Sequence, residues 1–112
     1  DSPYASSALA ILGAMKLADG ANGHALSLLR RAVEANATSF PGRSEAEADL
    51  GLAYLSTNNE EAGLRWLASA QQRFRADGEH ELLERSQANE ARYWESRGRG
   101  QTTSAASAPS RN

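Results

Sequence analysis

The sequence has no cysteine, one lysine and few aromatic residues, and each scarcity excludes or favours a class of protein. Without cysteine, disulfide frameworks and thiolate metal sites are excluded. No apolar run approaches the ~20 residues that a helix needs to span a bilayer, so we expect no membrane insertion. The formal net charge of -2 gives no electrostatic basis for binding nucleic acid. Lys16 is the only lysine among 12 Lys and Arg residues, a bias typical of GC-rich genomes, so we expect a bacterial source.

The rest of the composition is that of one small globular domain. The chain has 112 residues, of which 40% are hydrophobic and 23% charged. Much of the apolar share is alanine, which favours helices and fills tight gaps between them. The chain begins with Asp1 rather than Met, so we expect a processed protein or an excised part of a longer one. We expect it to be soluble, but the sequence leaves its compartment open between cytoplasm and periplasm.

The pattern of apolar and turn residues predicts an all-α fold with five helices and no strand. Apolar residues recur at steps of three and four, which is the period of one helix face. Ser2 and Pro3 suit the start of the first helix, and Ser44 with Glu47 predicts a capping box at the start of the third. The predicted helices span residues 3–18, 22–37 with Asn22 as its cap, 44–55, 60–75 and 79–97.

An internal repeat relates the first two helical pairs. An offset of 38 residues takes Gly13 to Gly51 and Leu12 to Leu50. Glycine inside a helix costs about 1 kcal/mol relative to alanine. Two glycines at equivalent positions therefore predict that each lies where the two helices of a hairpin cross closely. The further matches at this offset are Ala25 with Gly63, Leu29 with Leu67, and Ala32 with Ala70.

On these residues the sequence resembles the tetratricopeptide repeat family. Its unit of about 34 residues has Leu-Gly in the first helix, then a small residue, a bulky apolar residue and alanine in the second. The chain departs from this pattern at Lys16 and Glu47, where aromatic residues are usual. The resemblance implies a short right-handed α-solenoid over residues 3–97, with unit one at 6–39, unit two at 44–77 and a capping helix at 79–97. Residues 98–112 have little to bury and are predicted to form a flexible tail.

The resemblance also implies a binding face, because in this family the first helix of each unit lines a concave surface that holds the partner. On this chain the face consists of Ser7, Ala10, Ala14, Leu17, Glu45, Asp49, Leu52, Leu55 and Ser56. Family members that grip a C-terminal carboxylate use Lys, Arg and Asn there, and this chain has Ala10, Ala14 and Asp49 instead. We therefore expect no such clamp, and a helical or extended ligand with apolar anchors and basic residues. Alternatively, Leu52 and Leu55 only contact the fifth helix, and the acidic residues form a solvated face.

Two adjacent aromatic residues, Tyr93 and Trp94, form a second candidate contact. Because neighbours on a helix point in different directions, we expect one of them in the core and the other exposed, where it is available to a partner. The sequence gives little support for catalysis. His24 and His80 lie on different helices without further ligands at metal spacing, so we expect no metal, no cofactor and no enzyme activity.

The sequence thus predicts a non-enzymatic scaffold or adaptor that binds a peptide or a larger assembly on its concave face. At the level of the family alone, an arginine- and alanine-rich chain of this type is similar to accessory subunits of bacterial pilus or secretion complexes. The alternative is a structural module that associates with itself into a homodimer through exposed apolar residues.

Overall fold

The computed structural model describes residues 2–35 and 39–101, and side chains up to Gly98. It has five helices in chain order and, within the described residues, no strand, so the all-α prediction is confirmed. The helices are α1 (Pro3–Ala18), α2 (Asn22–Val33), α3 (Arg43–Ser56), α4 (Glu60–Ala76) and α5 (His80–Gln101).

The predicted helix starts are right for α1 and wrong in detail for α2 and α3. Ser2 caps α1, because its side chain accepts a hydrogen bond from the Ala5 amide at 3.1 Å. Asn22 does not cap α2: it is the first helical residue, and the N-cap is Ala21 without a side-chain bond. The capping box at Ser44 is also wrong, because α3 begins one residue earlier with Gly42 as its N-cap.

Glu47, the expected acidic member of that box, has a different partner. Its carboxylate accepts a hydrogen bond from Arg43 Nε at 3.0 Å, one helical turn earlier. The side chain is buried, and its second oxygen, Oε1, has no hydrogen-bond partner within the described residues. Arg43, the first residue of α3, thus binds the Glu47 carboxylate in place of the backbone amides that a capping box would use.

The last helix is longer than predicted. The expected tail was to begin at Gly98, but α5 continues through Gln101, so the first four residues of that segment are helical. Residues 102–112 lie outside the described part of the chain, as do residues 36–38, where the predicted end of the second helix falls. α2 ends at Val33 with Glu34 as its C-cap, so the predicted span of the second helix is wrong over residues 34 and 35.

The 38-residue repeat is visible in the packing of the two hairpins. A Cβ added to Gly13 would lie 2.7 Å from Leu29 Cγ, and one added to Gly51 would lie 2.8 Å from Leu67 Cγ. Leu29 and Leu67 are themselves 38 residues apart, so the same glycine–leucine contact occurs in both hairpins. The prediction that these glycines lie at close helix crossings is confirmed.

The turn after each first helix repeats as well. Gly20 follows α1 with a φ of 81°, and Asn58, at the equivalent position after α3, has a φ of 70°. Asparagine is one of the few residues other than glycine that adopts this left-handed conformation readily. The two hairpins therefore turn in the same way although the turn sequences differ.

The central helix of the fold is α3, which contacts each of the other four helices. One buried cluster joins it to α2 through Leu29, Ala32, Leu50 and Ala53, and a second joins it to α4 through Leu55, Leu67 and Phe74. Among the described residues, α1 and α5 make no contact with each other. They lie on different sides of α3 and leave part of its surface open between them.

Trp66 belongs to the first of these clusters. It lies on the partly buried edge of the cluster formed with α2. There it is close to Glu34, which also accepts hydrogen bonds from Tyr54 at 2.5 Å and Arg30 at 2.8 Å. Although burial raises the pKa of Glu34, these hydrogen bonds hold it below the ordinary value. These contacts stabilise the packing of the first hairpin, α1 and α2, against the second, α3 and α4.

Candidate partner-binding groove

A groove runs over α3 between α1 and α5. Its volume is about 550 Å³, within the range of about 300–1,000 Å³ that is typical of ligand sites. We call it the α3 groove. It is lined by Ala14, Leu17, Ala18, Asn22, Asp49, Leu52, Ser56, Asn89, Arg92, Tyr93 and Ser96.

The groove continues toward the start of α3 as a smaller hollow of about 140 Å³ between α1 and α3. Ala14 and Asp49 line both parts, so the two are continuous. At the far end, the Ser7 hydroxyl donates a hydrogen bond to the Pro41 carbonyl at 3.0 Å, which fixes the loop before α3 against α1. The remaining lining residues of this part are Ala10, Ile11, Gly42, Glu45 and Ala46.

Eight of the nine predicted concave residues line these two parts of the groove. They are Ser7, Ala10, Ala14, Leu17, Glu45, Asp49, Leu52 and Ser56. Their role in binding stays a prediction, but the structure does bring them together on one face. The small residues of α1 explain why there is room, since Ala10 and Ala14 leave space above α3 where larger side chains would fill it.

Leu55 is the exception, and its placement on this face is wrong. Its side chain is 1% exposed and packs in the cluster with α4, where it would be only 2.8 Å from a Cβ added to Gly63. Three residues along a helix amount to about 300° of rotation, so Leu52 and Leu55 diverge by about 60°. That is enough to put Leu52 in the groove and Leu55 between α3 and α4.

Asp49 lies on the floor of the groove and gives it its main electrostatic feature. Burial raises the pKa of this carboxyl to about 6, the positive charge of Arg85 lowers it, and the charge of Glu45 raises it further. Arg85 is already paired with Glu45 at 3.2 Å. Within the described residues, Asp49 makes no hydrogen bond or ion pair, so a half-buried carboxylate faces the groove without a partner.

The wall formed by α5 contains residues that the sequence reasoning did not assign to the binding face. Asn89, Arg92 and Ser96 recur at steps of three and four and all line the groove. This polar stripe on α5 was visible in the sequence, but only the position of α5 across from α1 makes it part of a site. Arg92 donates a hydrogen bond to Asn89 on the same helix.

Tyr93 and Trp94 differ in exposure, but Tyr93 is only partly buried and does not lie in the core as expected for one of the two. Tyr93 is partly buried against the cluster with α4, and its hydroxyl donates to Glu60 Oε2 at 2.9 Å. Its ring also lies under the Arg97 guanidinium, 5.7 Å from the ring centroid to Cζ. Trp94 is 40% exposed and lies edge-on to Tyr93. Tyr93 therefore contributes to the groove wall, whereas Trp94 lies outside the groove lining.

The two histidines are both exposed, His24 on α2 and His80 at the start of α5. In the part of the chain that the structure describes, no three metal-binding side chains come together. No described helix is long and apolar enough to cross a membrane. The chemistry that the groove offers is apolar contact, one unpaired carboxylate and several polar side chains on α5.

No protein-family model matches the sequence, and no curated protein or solved structure is significantly similar to it.

Proposed function

We propose that the chain is a non-enzymatic protein-interaction module that binds a segment of another protein in the α3 groove, with a basic side chain of that segment paired to Asp49. Apolar groups of the ligand pack on Leu17 and Leu52. The tetratricopeptide resemblance supports the proposal, since eight of the nine residues that it implies for a partner face line the groove.

The observation that carries the proposal is the state of Asp49. A half-buried carboxylate without a partner loses part of its hydration, which destabilises a fold, and charged groups in such positions are typically paired. The positive charge of Arg85 lowers the pKa of Asp49, yet Arg85 is paired with Glu45. A ligand cation at Asp49 would supply the missing partner, and perturbed titration in a cleft is typical of functional residues.

The surroundings of Asp49 favour a side chain with an aliphatic stem and a charged end. Leu52 lies three residues further along α3, and Ala14 of α1 also lines the groove. Lysine and arginine bury their methylene groups against such apolar surface while the charge reaches a polar partner. An extended segment fits better than a large domain, because the groove lies between two helices, each about 10–12 Å in diameter.

The test is a selection from a random peptide library on the full chain. We expect enriched peptides to share a Lys or Arg flanked by apolar residues. With Asp49→Lys as the bait, the position of the basic residue should become acidic. Glu61→Lys is the matched control, because it makes the same charge change at an exposed position of α4 outside the groove. Its consensus should equal that of the original protein.

An unchanged consensus on Asp49→Lys would contradict the role of Asp49. A consensus without basic residues, or loss of binding in Glu61→Lys as well, would contradict the proposal as a whole. Circular dichroism of each bait confirms that the helices are retained, so that loss of folding is not mistaken for loss of recognition.

A structural module that associates with itself is the second candidate function. It is favoured by a different surface, the outward face of α1, which shares only Ile11 with the groove lining.

A further inference from the structure

The helix α1 is apolar on the side that faces solvent. Four large side chains are exposed there: Tyr4 by 86%, Ile11 by 63%, Met15 by 58% and Leu12 by 40%. Ala8 lies among them and is exposed as well. We call these five residues the α1 outer face. A surface helix normally carries charged residues on its solvent side, and a helix that is apolar all round is normally buried.

The repeat gives an internal comparison for this face. The residues 38 positions after Ala8, Leu12 and Met15 are all apolar too, and in α3 they are 2%, 0% and 0% exposed. They are Ala46, Leu50 and Ala53, and they pack in the cluster with α2. Three of the five residues of the α1 outer face are therefore apolar positions that the same fold buries under a helix in its second unit, whereas Tyr4 and Ile11 correspond to Gly42 and Asp49.

We propose that a second copy of this chain covers the α1 outer face, with the two α1 helices packed antiparallel about a two-fold axis. Four of the five residues, all but Leu12, are spaced symmetrically, with steps of four, three and four from Tyr4 to Met15. An axis between positions 9 and 10 places Tyr4 opposite Met15 of the second copy, and Ala8 opposite Ile11. A small residue then faces a branched one, and a sulfur faces an aromatic ring.

Charge favours a second copy over a charged partner. α1 contains no acidic residue, and Lys16 is its only basic one. Two identical copies therefore bring no like charges together on this face. A partner recognised through charge would find nothing on the α1 outer face to pair with, because electrostatic complementarity needs charge on both sides.

The opposite end of the molecule argues for a closed dimer rather than an open chain of copies. The exposed side of α5 carries Glu84, Gln87 and Glu95. Stacking the α1 outer face on α5 of another copy would bury these polar groups against apolar side chains. Pairing α1 with α1 avoids that cost. It also buries the α1 outer face of both copies, so assembly stops at two copies.

The interface is small. A helix of 16 residues is about 24 Å long, which limits the buried area to the lower end of stable interfaces, about 1,000 Å² in total. We expect dissociation in the micromolar range, on the order of 10 µM. Ile11 also borders the smaller hollow of the groove, but no residue of the α1 outer face lines the larger part with Leu17 and Leu52, so the two proposals can fail independently.

The first experiment is sedimentation equilibrium of the full chain from about 1 µM to about 500 µM. The weight-average mass should rise from 12.0 kDa toward twice that value. Ile11→Arg should raise the dissociation constant at least tenfold. Ala68→Arg is the matched control at an exposed position of α4, and it should dimerise as the original chain does. Both sites are exposed in the monomer, so neither arginine disturbs the core.

The second experiment tests the antiparallel register by cross-linking, which is unambiguous because the chain has no cysteine of its own. Tyr4→Cys mixed with Met15→Cys should form a disulfide-linked dimer under mild oxidation. Tyr4→Cys alone should not, because positions 4 of the two copies are about 16 Å apart along the axis at 1.5 Å per residue, whereas a disulfide needs Cα atoms within about 7 Å.

Three results would overturn the proposal. One is a monomer at every concentration, which would assign the α1 outer face to a different protein segment. Another is dimerisation that Ile11→Arg leaves unchanged, which would place the contact elsewhere. The third is a Tyr4→Cys chain that cross-links to itself as readily as to Met15→Cys, which would exclude the antiparallel register.

Discussion

Replacing Gly51 by alanine tests the close crossing of α3 and α4. A Cβ at this position would lie 2.8 Å from Leu67 Cγ, 2.9 Å from the Gly63 carbonyl oxygen and 3.0 Å from the Leu67 amide nitrogen. Two of these three atoms belong to the backbone. A side chain can rotate away from a short contact, but here α4 as a whole must move away from α3.

The magnitude follows from two opposing effects. Alanine is better than glycine inside a helix by about 1 kcal/mol. Overpacking a tight contact costs about 1–3 kcal/mol, and we expect the upper part of that range because the backbone of α4 is involved. The net result is a loss of about 1–2 kcal/mol in the free energy of unfolding. For a domain of this size, that lowers the melting temperature by roughly 5–15 °C.

Gly23 provides the matched control, because it is also helical but has nothing within 4 Å of the added Cβ. Gly23→Ala should raise the free energy of unfolding by up to about 1 kcal/mol. Gly13→Ala should fall between the two, since its short contacts are with the Leu29 side chain alone. Urea and thermal unfolding followed by circular dichroism measure all three. If Gly51→Ala were as stabilising as Gly23→Ala, the helices would not cross at this glycine.

The remaining predictions concern a buried charge and a helix cap. Because the folded pKa of Asp49 is raised above its ordinary value of 3.8 to about 6, ionising it costs stability as the pH rises through that interval. The free energy of unfolding of Asp49→Asn should therefore exceed that of the original chain by up to about 3 kcal/mol at pH 7.5. Below pH 4 the difference should vanish, and urea titrations at the two pH values measure it. An equal gain at both pH values would contradict a destabilising carboxylate. Asn59 caps α4 by accepting from the Ala62 amide at 3.3 Å, so Asn59→Ala should cost about 1 kcal/mol. Asn22→Ala, at a position that caps nothing, should cost about half of that or less, and equal losses in the two variants would contradict the assignment of the caps.

The prediction for Asp49 connects stability with binding. The same substitution that stabilises the free protein should remove the partner of a ligand cation. Residues at binding sites often cost the free protein stability in this way. A substitution that raises the free energy of unfolding and lowers the affinity for the ligand is therefore the result expected at a binding-site residue. Substitution of a purely structural residue would lower both quantities.

The helices and their order could be predicted from the sequence because they depend on short-range signals. Ser2 and Pro3 mark the start of α1, and the predicted and observed spans of that helix agree. The starts of α2 and α3 were placed less well, since a side chain that is able to cap does so only if the backbone enters the helix at that residue. At α3 the left-handed Gly42 and the Arg43–Glu47 pair decide the start.

The candidate site was predictable in part for the same reason. Residues of α1 and α3 on the groove follow from helical periodicity once the two helices are known to lie side by side. Leu55 was misplaced because a difference of about 60° around α3 separates the groove from the contact with α4, and a repeat pattern does not resolve that angle. The contribution of α5 required knowing where the fifth helix packs.

The sequence by itself determined the helices, the 38-residue repeat and the close crossings at Gly13 and Gly51, because periodicity, caps and an unusual glycine are local properties of the chain. Only the tertiary structure decided which apolar faces remain open. Leu12 and Leu50 are the same residue type at equivalent positions, yet one is 40% exposed and the other fully buried. The difference is that α2 packs on α3, and no described helix packs on the corresponding side of α1.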